Sequence, residues 1–226
     1  LIPALTADIQ YSSAFQQPSS TPIPYDLDLM QPITADNIAQ LQPIANFTEF
    51  GDWIADVAFS PDGNLLVAIP QYDEDDRLRI WDAHTGEQLA ALQDQRWEEV
   101  DFHLGSLAFS PDGSILAISK LFYIYFYDIE SLLEVDELIP IQILESQQLI
   151  ISDIAFSPDG RFLVASYAYS ETALSLWDTD DFARTDYSVS QDRNGWTLSF
   201  TPDSEYIAMG GKGSDGHVWN MEHGVE

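Results

Sequence analysis

The chain has 226 residues, 45% of them hydrophobic, and carries 38 Asp and Glu against 8 Lys and Arg, a formal charge of −30. That balance excludes a phosphate-backbone binder, which needs the opposite sign, and it repels anionic lipid. With no cysteine there is no disulfide, thiol catalysis or Cys-ligated zinc, and no apolar run reaches the ~18 residues of a membrane-crossing helix.

Residues 1–32 hold five of the twelve prolines and no glycine. The run Gln16-Gln17-Pro18-Ser19-Ser20-Thr21-Pro22-Ile23-Pro24 has no apolar periodicity. Proline fixes φ and removes a donor, so this stretch reads as an extended tether. Tyr11, Phe15 and Tyr25 offer the alternative of an arm docked on a neighbour. The first residue is Leu1. Either a trimmed boundary or a removed signal peptide produces that start, and the expected address is secreted or cell-envelope rather than cytoplasmic.

From residue 33 the pattern changes. The string VAFSPDGNLL at 57–66 returns as LAFSPDGSIL at 107–116, IAFSPDGRFL at 154–163 and, worn, LSFTPDSEYI at 198–207. The phenylalanines Phe59, Phe109, Phe156 and Phe200 are 50, 47 and 44 residues apart, a period that marks radial or solenoid repeats. Units are expected near 46–96, 97–145, 146–191 and 192–226, with 33–45 as an outer strand.

Each unit has one grammar. In the first, an alternating run Ile54 to Phe59 leads into Ser60-Pro61-Asp62-Gly63. That tetrad suits a type I turn with Pro second and a Gly free to take positive φ. A second run follows (Leu65 to Ile69), then a third ending in Trp81-Asp82, then a fourth, Glu87 to Leu92. Four short strands per unit, apolar on both faces, must be sandwiched between neighbours. Face-to-face four-stranded sheets around an axis meet that need. In the second unit Lys120-Leu121-Phe122-Tyr123 stands where a Gly-containing turn is expected, and its third run is aromatic throughout. In the fourth, Ser204 replaces Gly; a side chain at positive φ costs on the order of 1 kcal/mol, so this unit is expected to be the least stable.

These units resemble WD40 repeats, especially the bacterial type with an SPDG turn. The aromatic–acid positions that carry the resemblance are Trp81-Asp82, Tyr127-Asp128, Trp177-Asp178 and Trp219-Asn220, and Asp215-Gly216-His217-Val218-Trp219 looks like the DG-x-V-x-W hairpin entry. The resemblance covers 33–226 and implies an all-β, WD40-like β-propeller with four blades per chain. The family's His before each inner strand has no clear counterpart. Met221 to Glu226 is too short for a good last strand. Ring closure then has three routes: four blades closing on themselves, two chains completing an eight-bladed ring as a homodimer with 33–45 as closing outer strand, or an open part of a longer array.

Catalytic and metal signals are weak. Tyr72-Asp73-Glu74-Asp75-Asp76 and Asp178-Thr179-Asp180-Asp181 are acidic enough for calcium, but neither has the spaced D-x-D-x-D-G loop. His84, His103, His217 and His223 show no ligand spacing. No catalytic residue, metal site or cofactor is expected. Trp53, Trp97 and Trp196 precede inner strands, in loops that a WD40-like ring opens on one face. With Asp75 and Tyr169 they are the expected partner-binding residues. The expected function is a non-enzymatic protein–protein interaction scaffold for a basic or polar protein or peptide. The alternatives are a carboxylate-dependent hydrolase at the ring mouth and a truncated repeat array whose main property is self-assembly.

Overall fold

The structure is a computed structural model that describes residues 54–70, 77–93, 105–134, 137–147, 149–170, 172–190, 195–211 and 216–221. The tether at 1–32, the closing strand at 33–45, the acidic loop Tyr72 to Asp76, and His103 and His223 lie outside the described residues.

The described residues form four antiparallel sheets, or blades. Blade 1 is β1 (Ile54–Phe59), β2 (Leu65–Pro70), β3 (Arg77–Asp82) and β4 (Gln88–Gln93). Blade 2 is β5 (Leu107–Phe109), β6 (Ile115–Lys120), β7 (Tyr123–Asp128) and β8 (Gln142–Glu145). Blade 3 is β9 (Ile150–Phe156), β10 (Phe162–Ala168), β11 (Thr172–Asp178) and β12 (Arg184–Ser190). Blade 4 has three strands, β13 (Gly195–Phe200), β14 (Tyr206–Gly211) and β15 (His217–Asn220). One helical turn, α1 (Ile129–Leu132), interrupts the all-β pattern, where the sequence offers no helix period. Asp128 caps it by accepting the Ser131 N–H at 2.8 Å.

The repeated turn forms as its residues dictate. Gly63 N donates to Ser60 O at 2.8 Å and takes φ +76, and Gly113 and Gly160 repeat this at +75 and +76. The serine adds a second lock: Ser60 Oγ donates to Asp62 and accepts the Leu65 N–H at 2.9 Å. The hydroxyl bonds hold the Asp62 and Asp112 carboxyls below the ordinary value. Successive turns sit side by side, since a Cβ built on Gly113 lies 3.5 Å from Pro61 Cδ.

Ser204 occupies the equivalent place at φ +63. Its hydroxyl also accepts the Asp159 N–H of the neighbouring turn at 3.0 Å, so the strained residue ties blade 4 to blade 3. Ser204→Gly relieves about 1 kcal/mol of left-handed strain and loses a bond worth about 0.5–1.5 kcal/mol. The two nearly cancel, so thermal unfolding of Ser204→Gly should match the parent. Ser204→Ala, which keeps the strain and loses the bond, should melt below both.

Three clusters of buried side chains join the blades. Val67, Ile69, Leu78 and Ile80 on the back of blade 1 meet Leu107, Leu116, Ile118, Tyr125 and Tyr127 on the front of blade 2. Ile124 and Phe126 meet Ile151, Ile154, Tyr167 and Trp177 across the next interface. Leu174 and Leu176 meet Ile207, Met209 and Trp219 across the third. The repeat-position tryptophans Trp81, Trp177 and Trp219 are all buried. In blades 2 and 3, strands apolar on both faces are thus buried on both faces, each fully buried side chain stabilising by about 1.5–3 kcal/mol.

Candidate interaction face

Strand direction sorts the loops. The SPDG turns and the third-to-fourth-strand turns share one end of the stack. The second-to-third-strand loops and the connections between blades share the other, where Tyr169 and Trp196 lie. Tyr169 follows β10, takes a left-handed φ of +55 and is 67% exposed. Leu121 (φ +52) and Gln147 (φ +58) are also left-handed at this end. The turn at Leu121 is braced by Ile151 N to Leu121 O at 2.7 Å and Ser146 N to Phe122 O at 2.8 Å.

Trp196 is 56% exposed but sits inside β13, not in the loop before it as the sequence led us to expect. The ladder pairs Gly195 with Gly211 and Thr197 with Gly210, so Trp196 is the extra residue of a bulge. A bulge leaves its residue off the ladder and re-aims it. Ala55 in β1 and Ser152 in β9 occupy equivalent positions, since pairing skips them too. Trp53, Asp75 and Trp97 lie outside the described residues.

The bulges also place a set of residues that the sequence reading passed over. Directly after the bulges at Ala55 and Ser152 comes an aspartate that bonds to the next blade. Asp56 Oδ2 accepts Leu107 N at 2.7 Å, and Asp153 Oδ2 accepts Leu198 N at 2.7 Å. Between them Ser106 Oγ stands 3.4 Å from Ile154 N and donates to Asp153 Oδ1 at 2.7 Å, with Asp56 Oδ2 at 3.2 Å. The relay runs blade 1 to 2, 2 to 3 and 3 to 4, and ends at the Leu198 N–H. Burial pushes the Asp153 carboxyl above its ordinary value, against the pull of its hydrogen bonds, and the charge of Asp56 adds to the rise. The signal was present in the sequence: Asp56, Ser106, Asp153 and Thr197 share one repeat register two places before an alanine or serine.

Carboxylate oxygens of both Asp56 and Asp153 accept main-chain N–H groups, which suits a structural role better than proton transfer. Asp178 Oδ1 accepts Asp180 N and Asp181 Oδ1 accepts Ala183 N, so that acidic turn bonds to itself. Among the described residues no group of three or more His, Asp or Glu is placed to hold a metal ion. His84 Nε2 lies 2.9 Å from Asn64 Oδ1, and His217 lies on β15 beside Trp219. A further exposed apolar stripe, Ile139, Ile141 and Ile143, runs into the outer strand of blade 2.

The family model for the WD domain, G-beta repeat, matches residues 41–82 and 139–178. No curated protein matches the chain. Among the similar solved structures is the hydrazine synthase of Kuenenia stuttgartiensis, 18% identical, with a TM-score of 0.62 over 82% of this chain and 50% of that one. At that identity the likeness is one of fold, and the chain spans about half the length of that protein. With four blade-like sheets, SPDG turns at each inner hairpin of the first three, and the family's repeat matched twice, the chain carries WD40 repeats and folds them as blades of a β-propeller.

Proposed function

We propose that the chain is a non-catalytic interaction scaffold that receives a basic or polar protein segment on the face carrying Tyr169 and Trp196. WD40 repeats generally mediate protein–protein interaction. The observation that carries the reading is the exposure of these two large aromatics at one end of the stack, 67% and 56%, while the repeat-position tryptophans are buried. Aromatics of this kind make good anchors at interfaces. The charge of −30 selects cationic partners and steers their approach. Trp53, Asp75 and Trp97 belong to the same proposed surface.

An array of basic, neutral and acidic peptides tests this. Binding should concentrate on the basic peptides, weaken as NaCl rises, and fall roughly 30-fold in the Tyr169→Ala/Trp196→Ala double variant, as expected for an anchor of about 2 kcal/mol. Unchanged binding by a folded double variant rules out this face.

A further inference from the structure

One hydroxyl stands between two carboxyl groups and has a single proton to donate. Ser106 Oγ lies 2.7 Å from Asp153 Oδ1 and 3.2 Å from Asp56 Oδ2, and faces the Ile154 N–H at 3.4 Å. Ser106 is buried. An ionised carboxylate is an acceptor only. With both aspartates ionised, the hydroxyl therefore bonds to one of them, and the other meets it lone pair to lone pair.

The heavy atoms are pinned where they stand. Ser106 N donates to Ser119 Oγ at 2.9 Å, and Ser106 O accepts Ser119 N at 2.9 Å. Asp56 accepts Val57 N at 2.8 Å and Leu107 N at 2.7 Å; Asp153 accepts Ile154 N at 2.9 Å and Leu198 N at 2.7 Å. What is free to turn is the serine proton. A second proton, taken from solvent onto Asp153 Oδ1, resolves the contact. Asp153 then donates to Ser106 Oγ, and the serine proton turns to Asp56 Oδ2. Both oxygen–oxygen contacts carry a proton, and the bonds run from blade 3 through blade 2 to blade 1.

The surroundings contain little else that titrates. The strands packed around this junction are β1, β2, β5, β6, β9, β10 and β13. Besides the two aspartates, their charged or titratable side chains are Lys120 at the end of β6 and Tyr167 of β10. The Lys120 charge favours ionised carboxylates. Tyr167 is buried, and burial pushes its hydroxyl further above the carboxylate range, so it stays neutral. For Asp153 itself burial is the largest influence and favours the protonated form, as does the neighbouring charge of Asp56.

We propose that Asp56, Ser106 and Asp153 form a proton-operated latch between blades 1, 2 and 3: the Ser106 hydroxyl points to Asp153 when both carboxyls are ionised and turns to Asp56 when Asp153 takes up a proton. The folded chain holds this proton to higher pH than the unfolded chain. The latch therefore stabilises at low pH and is lost as pH rises through the folded value.

Two measurements test the latch. Carboxyl-carbon NMR of the whole chain, with the signals assigned through Asp56→Asn and Asp153→Asn, follows both groups through a pH titration. The Asp153 signal should titrate above the ordinary aspartate value, and the Asp56 signal should shift at the same midpoint as its new hydrogen bond forms. The second measurement is the coupling between Asp56 and Ser106, read from urea unfolding of Asp56→Asn, Ser106→Ala and the double variant. It should be absent at neutral pH and reach about tenfold in the unfolding constant once Asp153 is protonated. In an Asp153→Asn background it should cease to vary with pH. A serine with a purely structural role gives one coupling at every pH. That result overturns the proposal, as does an Asp153 signal that titrates at or below the ordinary value, or an Asp56 signal that ignores the Asp153 step.

Discussion

Asp153→Ala should lower stability by about 3 kcal/mol, because it strands main-chain donors that the fold buries. The carboxylate accepts Leu198 N at 2.7 Å and Ile154 N at 2.9 Å and takes the Ser106 hydroxyl at 2.7 Å. One side chain thus joins blades 2, 3 and 4. Urea unfolding with a comparison of midpoints and slopes reads the loss. Asp153→Asn retains one acceptor oxygen and should cost less at neutral pH. The pH trend separates charge from geometry. The folded state raises the Asp153 pKa, so its contribution is complete below the unfolded value and is lost as pH rises through the folded one. The parent should therefore gain on Asp153→Asn as pH falls toward 4. The turn aspartates run the other way. Asp112 is lowered by Ser110 and Ser114 from 3.8, so the deficit of Asp112→Asn is present at neutral pH and fades below that value. If Asp153→Asn and Asp112→Asn show parallel pH trends, the assignment of opposite environments fails.

Phe126→Ala should cost about 3–5 kcal/mol, the range for emptying a buried aromatic site. Phe126 is fully buried and sits where blades 2 and 3 meet. Its ring lies edge-on to Phe182 at 4.8 Å and to Phe156 at 6.4 Å. Phe182 takes a left-handed φ of +56 at the last turn of blade 3, so the aromatic trio also holds a strained residue in place. Phe59→Ala is the internal control: the same residue type, but 64% exposed, with an expected effect within about 0.5 kcal/mol. Equal losses in the two variants would mean that the blade 2–3 contact does not carry the stability assigned to it.

Much of the fold was legible because strand, turn and strand are local. Ser-Pro-Asp-Gly encodes its own turn through a preset proline φ, a glycine free to reach φ +76, and a hydroxyl that reaches both the aspartate and the amide five residues on. The first four strands fall within a residue of the runs read from alternation. The candidate site was less legible. Trp196 was read as a loop residue because a bulge is a mismatch between two strands, and pairing register is not written in either strand alone. Asp56, Ser106 and Asp153 went unread for a related reason: their partners lie 45 to 51 residues away, one blade along the stack.

The sequence by itself determined the repeat, the turn chemistry and the need for every blade to be covered on both faces, since each follows from neighbours within a few residues and from the polarity of the side chains. Only the tertiary structure decided which residues meet between blades, how the aspartate relay is strung, and which faces stay open. Those outcomes depend on how whole sheets stack: Ile80 and Val218, in equivalent places of one grammar, end up buried and bare according to whether another sheet lies against them.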